Sequence, residues 1–342
     1  MTEIRWGIVG CGDVCEVKSG PGFQKATGSR LVAVMRRDRA KAEDFARRHG
    51  VPRFYDEATR LIDDPEVDAV CIATPPGAHC ELALSVARAG KPCYVEKPMA
   101  RNTAECQRMN EAFDRAGKKL FVAYYRRCLP RFVKLKELVH DGTLGTITSV
   151  LYRYSRVYQS ARSRAWRLDP AESGGGIFLD IGSHLLDLLD FLFGPLLEVR
   201  GSAAQVAPEE VESLVAMSFR TNDGAVGCGL WNFAAHAGED RLEITGTAGR
   251  VSVSLLSNEP LVIERADQRT ELHLPNPAHV QQPLIQSVVD ELLGRGSCPS
   301  TGASAARTSA VMDTVLSDYY GGRLDDFWNR VETWPGRVRR DA

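Results

Sequence analysis

Residues 4–9 read IRWGIV, an apolar run of strand length, and Gly10-Cys11-Gly12-Asp13-Val14-Cys15 follows without a gap. This stretch approximates G-x-G-x-x-G/A, with Cys15 in the third small position. No other feature constrains the fold as much, because the pattern is useful only between a parallel strand and a helix. Gly10 permits the tight turn, and Gly12 lets backbone approach a pyrophosphate. The helix opened by Asp13 and Val14 then offers its N-terminal amides to phosphate. The expectation is a first domain that binds a dinucleotide. Ser19-Gly20-Pro21-Gly22 should interrupt that helix. A helix over 13–19, a break and a second turn near 23–26 are expected, with Lys18 reading as a solvated surface lysine.

The next segments fit a doubly wound sheet. A second strand, 31–35, ends in Arg36-Arg37-Asp38. NAD-binding versions place an acidic residue near this tip, about 20 residues past the glycines, to take the ribose 2′-hydroxyl. Here guanidinium groups stand in that place and can grip a 2′-phosphate, so the sequence leans to NADP over NAD. The alternative has both arginines facing water and Asp38 serving the ribose. Residues 40–49 read as an amphipathic helix ending at Gly50. A third buried strand, 68–73, leads into Thr74-Pro75-Pro76-Gly77-Ala78-His79, where open α/β sheets bind ligands. His79 opens the helix over 80–89 and reads as a structural or ribose-side contact. Strand 93–95 then leads into Glu96-Lys97-Pro98. A lysine at the end of a core strand, in a cofactor cleft, suits proton transfer. Burial and a positive nicotinamide ring would lower its pKa from about 10.4.

Residues 174–193 form the third informative stretch, with Gly174, Gly175 and Gly176 leading an apolar run that carries Asp180, His184, Asp187 and Asp190. Asp180 and His184, four residues apart, lie on one helix face. A carboxylate and an imidazole stacked this way suit proton handling on a hydroxylated substrate. Alone, the same pattern describes a buried helix whose polar residues satisfy nearby backbone.

Four features in fixed order, GCGDV, ATPPGAH, VEKP and GGGIFLDIGSHLLDLLDFLFG, together resemble the Gfo/Idh/MocA family of oxidoreductases, over nearly the whole chain up to Gly322. The resemblance implies an α/β protein: an N-terminal Rossmann domain over 1–123 and a C-terminal α+β domain with a large, mainly antiparallel open sheet over 124–322. Residues 323–342 are left as a tail, either clamped to a neighbouring surface or loosely held. It further implies an NAD(P)-dependent dehydrogenase or reductase acting on CH–OH groups of a sugar, polyol or related cyclic alcohol. Lys97 and His184 would share the acid/base task, and Asp180 would bind or polarise hydroxyls. The cofactor set comprises Gly10, Gly12, Asp13, Val14, Arg36, Arg37, Thr74, Pro75, His79, Glu96 and Lys97. The substrate set comprises Tyr124, Arg126, Trp166, Arg167, Asp180 and His184, with Tyr158 and Arg162 as further lining residues. Many relatives carry an asparagine before the arginine pair of Tyr124-Tyr125-Arg126-Arg127, so one of the tyrosines departs from the pattern. Redox-neutral glycoside cleavage through transient oxidation, and a non-catalytic NADP-binding sensor, are the alternative functions.

Composition narrows the partners. Lysines and arginines (43) nearly balance aspartates and glutamates (44), for a net charge of −1. This balance argues against nucleic acid or anionic lipid as a partner. No signal peptide or membrane span is expected, and nine scattered cysteines without zinc spacing read as reduced thiols, so no metal and a cytoplasmic location are expected. Strand-like stretches at 146–158, 199–205, 213–221, 225–234, 241–247 and 250–255 should build the second sheet, with hairpin turns at 222–224 and 247–249. A helix at 130–141 precedes them, and helices at 284–293 and 303–319 close the domain. A sheet of this size needs its second face covered, which the family does with another subunit; a homodimer or homotetramer is expected.

Overall fold

The structure, a computed structural model, describes residues 2–158, 165–206 and 208–338. The chain forms two compact units that interleave in sequence. One takes the residues up to Ala100, Glu105–Leu129 and Pro277–Ala306; the other takes Arg101–Ala104, Pro130–Asn276 and the residues from Arg307 on. The linear division at 123/124 misses this return of 277–306, because nothing local marks a segment that packs against residues so distant in sequence.

In the first unit, β1 (Ile4–Val9), β2 (Ser29–Met35), β3 (Arg53–Tyr55), β4 (Ala69–Ile72), β5 (Cys93–Val95) and β6 (Leu120–Val122) form one sheet. The order is β3-β2-β1-β4-β5-β6 with every pair parallel, so the winding reverses between β1 and β4. Ligands bind at the carboxyl ends of strands beside such a switch point. The helices of this unit are α1 (Asp13–Val17), α2 (Ser19–Lys25), α3 (Arg39–His49), α4 (Ala58–Ile62), α5 (His79–Arg88), α6 (Thr103–Ala116) and α10 (Gln282–Leu292). One core cluster joins Val9, Ile72, Val95 and Val122 from the strands to Ala83 and Val86 of α5 and Met109 and Phe113 of α6. Trp6, Phe23 and Tyr94 stack with ring centroids 4.6 and 5.8 Å apart.

The expected interruption at 19–22 does not occur there. The break is the single residue Lys18, and Ser19-Gly20-Pro21-Gly22 begin α2. Pro21 falls in the first turn, where a helix needs no amide donor. The glycines serve close packing: a Cβ on Gly20 would lie 2.3 Å from the Cys15 carbonyl oxygen, and one on Gly22 would lie 2.6 Å from Ile285 of α10. The helix α6, the short β3 and α4 were not read from the sequence. The three-residue β3 is half-buried throughout and too short to show a period.

The second unit is built on the eight-stranded sheet β14-β13-β12-β11-β7-β10-β9-β8. Its strands are β7 (Ile147–Val157), β8 (Leu197–Ala204), β9 (Leu214–Arg220), β10 (Val226–Ala235), β11 (Glu239–Gly246), β12 (Arg250–Val253), β13 (Leu261–Arg265) and β14 (Gln268–Leu272). Only β7 and β10 pair in parallel. The β13–β14 hairpin, largely solvated on β14, went unread. Both glycine-marked hairpins form, closed by Thr221 N–H to Ala225 O at 3.0 Å and Gly246 N–H to Gly249 O at 2.8 Å. The accompanying helices are α7 (Pro130–His140), α8 (Pro170–Ser173), α9 (Ile177–Phe193) and α11 (Gly302–Tyr320). Nearly every side chain of α9 is buried, and Phe178 meets Trp231 of β10 edge-on at 4.9 Å. On β10, Gly229, Trp231 and Phe233 point inward, whereas Val226, Cys228 and Leu230 point out. The segment from Arg323 is no loose tail in its described part: Phe327 and Trp334 are buried and pack on Tyr320, and the buried Trp328 packs on Phe327. Among the described residues no helix is long and apolar enough to cross a membrane, and no cluster suits a metal ion.

Candidate active site

The glycine turn of the first unit is tied down on one side and open on the other. Gly10 has φ +89°, and a Cβ there would sit 2.8 Å from Thr74 Cγ2. Its N–H and that of Cys11 both donate to Met35 O, at 2.9 and 3.1 Å. Around Gly12 the nearest atom to an added Cβ is 3.9 Å away, so the approach is clear. Among the described residues no side chain caps α1, opened by Asp13 and Val14, and the buried Thr74 Oγ1 has no hydrogen-bond partner. Pro75 caps the turn over Pro76–Ala78 that follows Thr74. An unobstructed glycine, uncapped helix amides and an unsatisfied hydroxyl at the switch point fit a dinucleotide. Burial pushes the Cys11 thiol up to about 11 and Cys15 up to about 12, so both stay protonated packing groups.

At the tip of β2, the Asp38 carboxylate is spent as the cap of α3, accepting from Lys41 N–H at 3.2 Å and pairing with Lys41 Nζ at 3.3 Å. Arg36 lies close enough to the glycine turn for its charge to oppose the burial effect on Cys11. Among the described residues neither Arg36 nor Arg37 makes a side-chain ion pair.

His79 fits the structural one of its two expected roles. It is fully buried, with Nε2 2.8 Å from Thr74 O and Nδ1 3.1 Å from Pro98 O. Burial lowers its pKa against these carbonyls. A ring held in this way pins the loop after β4 to the loop after β5.

Glu96 is buried, and its Oε2 accepts the Lys97 N–H at 3.2 Å while its Oε1 accepts Gln281 Nε2 at 2.6 Å. Gln281 in turn accepts from Tyr94 Oη at 3.0 Å. Burial pushes the Glu96 carboxyl up; the Gln281 hydrogen bond and the charges of Lys97 and Lys18 oppose it. Lys97–Pro98 is cis. Lys18, expected in solvent, instead sits at this edge, 6.0 Å from the Tyr125 ring centroid. Tyr124, one of the expected substrate residues, belongs to the hydrophobic core cluster. Arg126 is buried beside Tyr125.

In the second unit, the loop into α9 explains its three glycines one by one. A Cβ on Gly174 would come within 2.7 Å of the Arg101 backbone, one on Gly175 within 2.7 Å of Leu179, and one on Gly176 within 2.6 Å of Glu212 O. The Glu212 carboxylate, 1% exposed, accepts the Gly176 N–H at 3.0 Å and the Tyr320 hydroxyl. It thus caps α9 from a distant strand connection, and a buried anion at a helix N-terminus is favoured by the helix dipole. Burial pushes this carboxyl up, against the Tyr320 hydrogen bond and the Arg323 charge. Arg323, itself buried, is held by Asp313 at 2.9 Å.

This frame carries Asp180 and His184 on successive turns of α9. Asp180 Oδ2 accepts Arg167 Nε at 2.9 Å, and Arg167 stacks on Trp166, 4.2 Å from the ring centroid. Three expected substrate residues therefore form one constellation, with Arg167 bracing Asp180. His184 is buried and Tyr158 donates to Glu209 at 2.7 Å; Arg162 lies outside the described residues. The sequence does not single out Glu212 or Gln281, which carry no local signal, and it leaves open whether Tyr124 or Tyr125 stands in the place of the asparagine.

Comparison with known proteins identifies the family and the fold. Residues 4–124 match the family model described as an oxidoreductase family with an NAD-binding Rossmann fold, and residues 132–252 match the GFO/IDH/MocA C-terminal domain. Oxidoreductase P35 of Formosa agariphila is 38% identical over 319 residues, covering 91% of this chain and 98% of that protein. Myo-inositol 2-dehydrogenase of Thermotoga maritima is 30% identical over 260 residues, covering 72% of this chain and 74% of the enzyme. A levoglucosan dehydrogenase in complex with NADH and levoglucosan superposes with a TM-score of 0.81 at 23% identity, over 92% of this chain and 96% of that one, a likeness of fold.

Proposed function

The chain belongs to the Gfo/Idh/MocA family of oxidoreductases, and from that premise we propose that it transfers hydride between a nicotinamide cofactor, NADP in preference to NAD, and a CH–OH carbon of a sugar, polyol or related cyclic alcohol. The observation that carries this reading is the carboxyl edge of the first sheet, where the open glycine turn after β1 and Lys97 after β5 both follow carboxyl ends of parallel strands, on either side of the switch point. The preference for NADP is supported by Arg36 and Arg37 at the β2 tip and by Asp38, whose carboxylate is spent on α3.

The cofactor supplies the hydride acceptor. The Gly10–Val14 turn, Thr74 and the β2 tip would hold it, and Lys97, presented by its Glu96-anchored backbone, would handle the substrate proton together with His184. Asp180, oriented by Arg167, would accept from a neighbouring substrate hydroxyl. Of the proteins compared above, one is a myo-inositol 2-dehydrogenase and one is complexed with levoglucosan, which supports the substrate class. The same reading includes a cytoplasmic protein, supported by nine cysteines present as thiols. It also includes a homodimer or homotetramer, supported by the outward Val226, Cys228 and Leu230 of β10.

The test offers aldoses, inositols, sugar acids and dihydrodiols with NADP and with NAD, and follows the absorbance of reduced nicotinamide. Turnover that prefers NADP and disappears in Lys97→Met, with cofactor binding retained, is the expected outcome. Turnover with NAD alone would overturn the arginine reading. Full activity of Lys97→Met would overturn the assignment of that lysine. Aglycone release without reduced cofactor would mark redox-neutral cleavage.

A further inference from the structure

The turn after β6 separates its two tyrosines. Tyr124 is absorbed by the core, whereas the Tyr125 ring lies 5.2 Å from the Arg126 guanidinium carbon and 6.0 Å from Lys18 Nζ. Lys18 stands at the break between α1 and α2, directly after the helix that the glycine turn opens. Lys97 and Glu96 follow β5, the strand hydrogen-bonded beside β6. Elements from three places in the first unit thus converge charged groups on one phenol.

We propose that Tyr125 is a further catalytic residue, whose hydroxyl contacts the substrate oxygen at the reacting carbon and, together with Lys97, carries that oxygen's proton. The proposal rests on the dehydrogenase reading above. In the oxidising direction the substrate O–H bond breaks and its proton passes to the Tyr125 phenolate oxygen. A bound nicotinamide cofactor would supply the acceptor for the carbinol C–H pair as hydride, leaving the carbonyl. In reduction the Tyr125 hydroxyl returns the proton and is reprotonated from solvent.

The balance of charge supports this role. Burial pushes the Tyr125 hydroxyl up, but Arg126, Lys18 and Lys97, opposed by Glu96, outweigh it and leave the group below its ordinary value. Tyr94, Tyr319 and Tyr320, which serve packing and hydrogen bonding, are all pushed up by burial. The helix α10 also packs against this turn, where Ser287 meets Cys128 at 3.9 Å, and burial keeps the Cys128 thiol protonated, up to about 12. A phenol eased toward ionisation is what acid/base exchange near working pH requires.

The first experiment is an ultraviolet difference titration of tyrosinate on the full-length protein without cofactor. Wild type should show one tyrosine ionising ahead of the rest. Tyr125→Phe should lose that phase, and Lys18→Gln should move it to higher pH. The second is the pH dependence of turnover on a substrate found as above. Tyr125→Phe should lower kcat roughly a hundredfold, leave cofactor affinity within about threefold, and remove one limb of the profile; Lys18→Gln should shift that limb. No early tyrosinate, or an early tyrosinate with wild-type kcat and profile in Tyr125→Phe, overturns the proposal. If Lys97→Met is dead while Tyr125→Phe behaves as wild type, this proposal fails alone. If Lys97→Met is fully active, the acid/base reading beneath it fails as well.

Discussion

Glu212 shows how much a single buried side chain can decide. It comes from the polar stretch Pro208-Glu209-Glu210-Val211-Glu212, and nothing in that run distinguishes it from its exposed neighbour Glu210. In the folded unit it accepts from Gly176 at the head of α9 and from Tyr320. Removing the carboxylate leaves two buried donors without an acceptor, each costing about 1–3 kcal/mol. Glu212→Ala should therefore lower unfolding stability by about 2–4 kcal/mol in urea denaturation and reduce kcat more than it raises KM. Glu212→Gln, which keeps an acceptor oxygen, should lose less of both. A Glu212→Ala protein with wild-type stability and kcat would show that α9 holds its place without this cap. Both partners were legible as residues but not as a pair, since 36 residues of chain separate Glu212 from Gly176.

Elements are joined by similar long-range clips, some of which respond to pH. Glu16 in α1 pairs with Arg48 at 2.6 Å and with His49 at 2.7 Å, binding α1 to the end of α3. The Arg48 hydrogen bond, against modest desolvation, lowers the Glu16 carboxyl from 4.5 to about 2. A carboxylate depressed in the folded state contributes stability above its unfolded value and loses that contribution as pH falls. The window here runs from about 4.5 down to about 2. Thermal unfolding followed between those limits should show a smaller loss of Tm on acidification in Glu16→Gln than in wild type. Parallel acid profiles for the two proteins would remove Glu16 from the account. The element boundaries themselves were largely readable, because apolar strands and glycine-closed helices announce them. The α1–α2 break was not, because the proline that suggested it sits harmlessly in a first helical turn.

For the whole molecule, the broad outward face of the second sheet is the feature that calls for a partner. Strand β10 presents Val226, Cys228 and Leu230 there, with Leu230 43% exposed near the middle of a central strand. Scattered exposed leucines are ordinary, but an apolar row on the central strand of a wide sheet suits burial against a second copy. Leu230→Glu should drop the solution mass measured by light scattering to that of one chain while leaving the monomer folded. An unchanged oligomer would move the contact elsewhere, and a wild-type protein already monomeric would end the proposal.

The sequence alone determined the class of fold, because strand–glycine turn–helix at Ile4–Val17 and the alternation along β7 to β12 are periodic, local patterns. It also singled out Lys97, Asp180 and His184 as candidates, through the fixed order of motifs that resembles a known family, since the spacing of Asp180 and His184 alone describes a buried helix equally well. Tertiary structure decided what surrounds them. It set Arg167 on Asp180, Glu212 on the head of α9, Gln281 on Glu96 and the cations on Tyr125, and it withdrew His79 and Tyr124 into the interior. Each of those outcomes depends on burial and on partners that meet only when the chain folds. A linear pattern records residue type and spacing, whereas hydrogen bonding, desolvation and charge act through distances that only the folded chain defines.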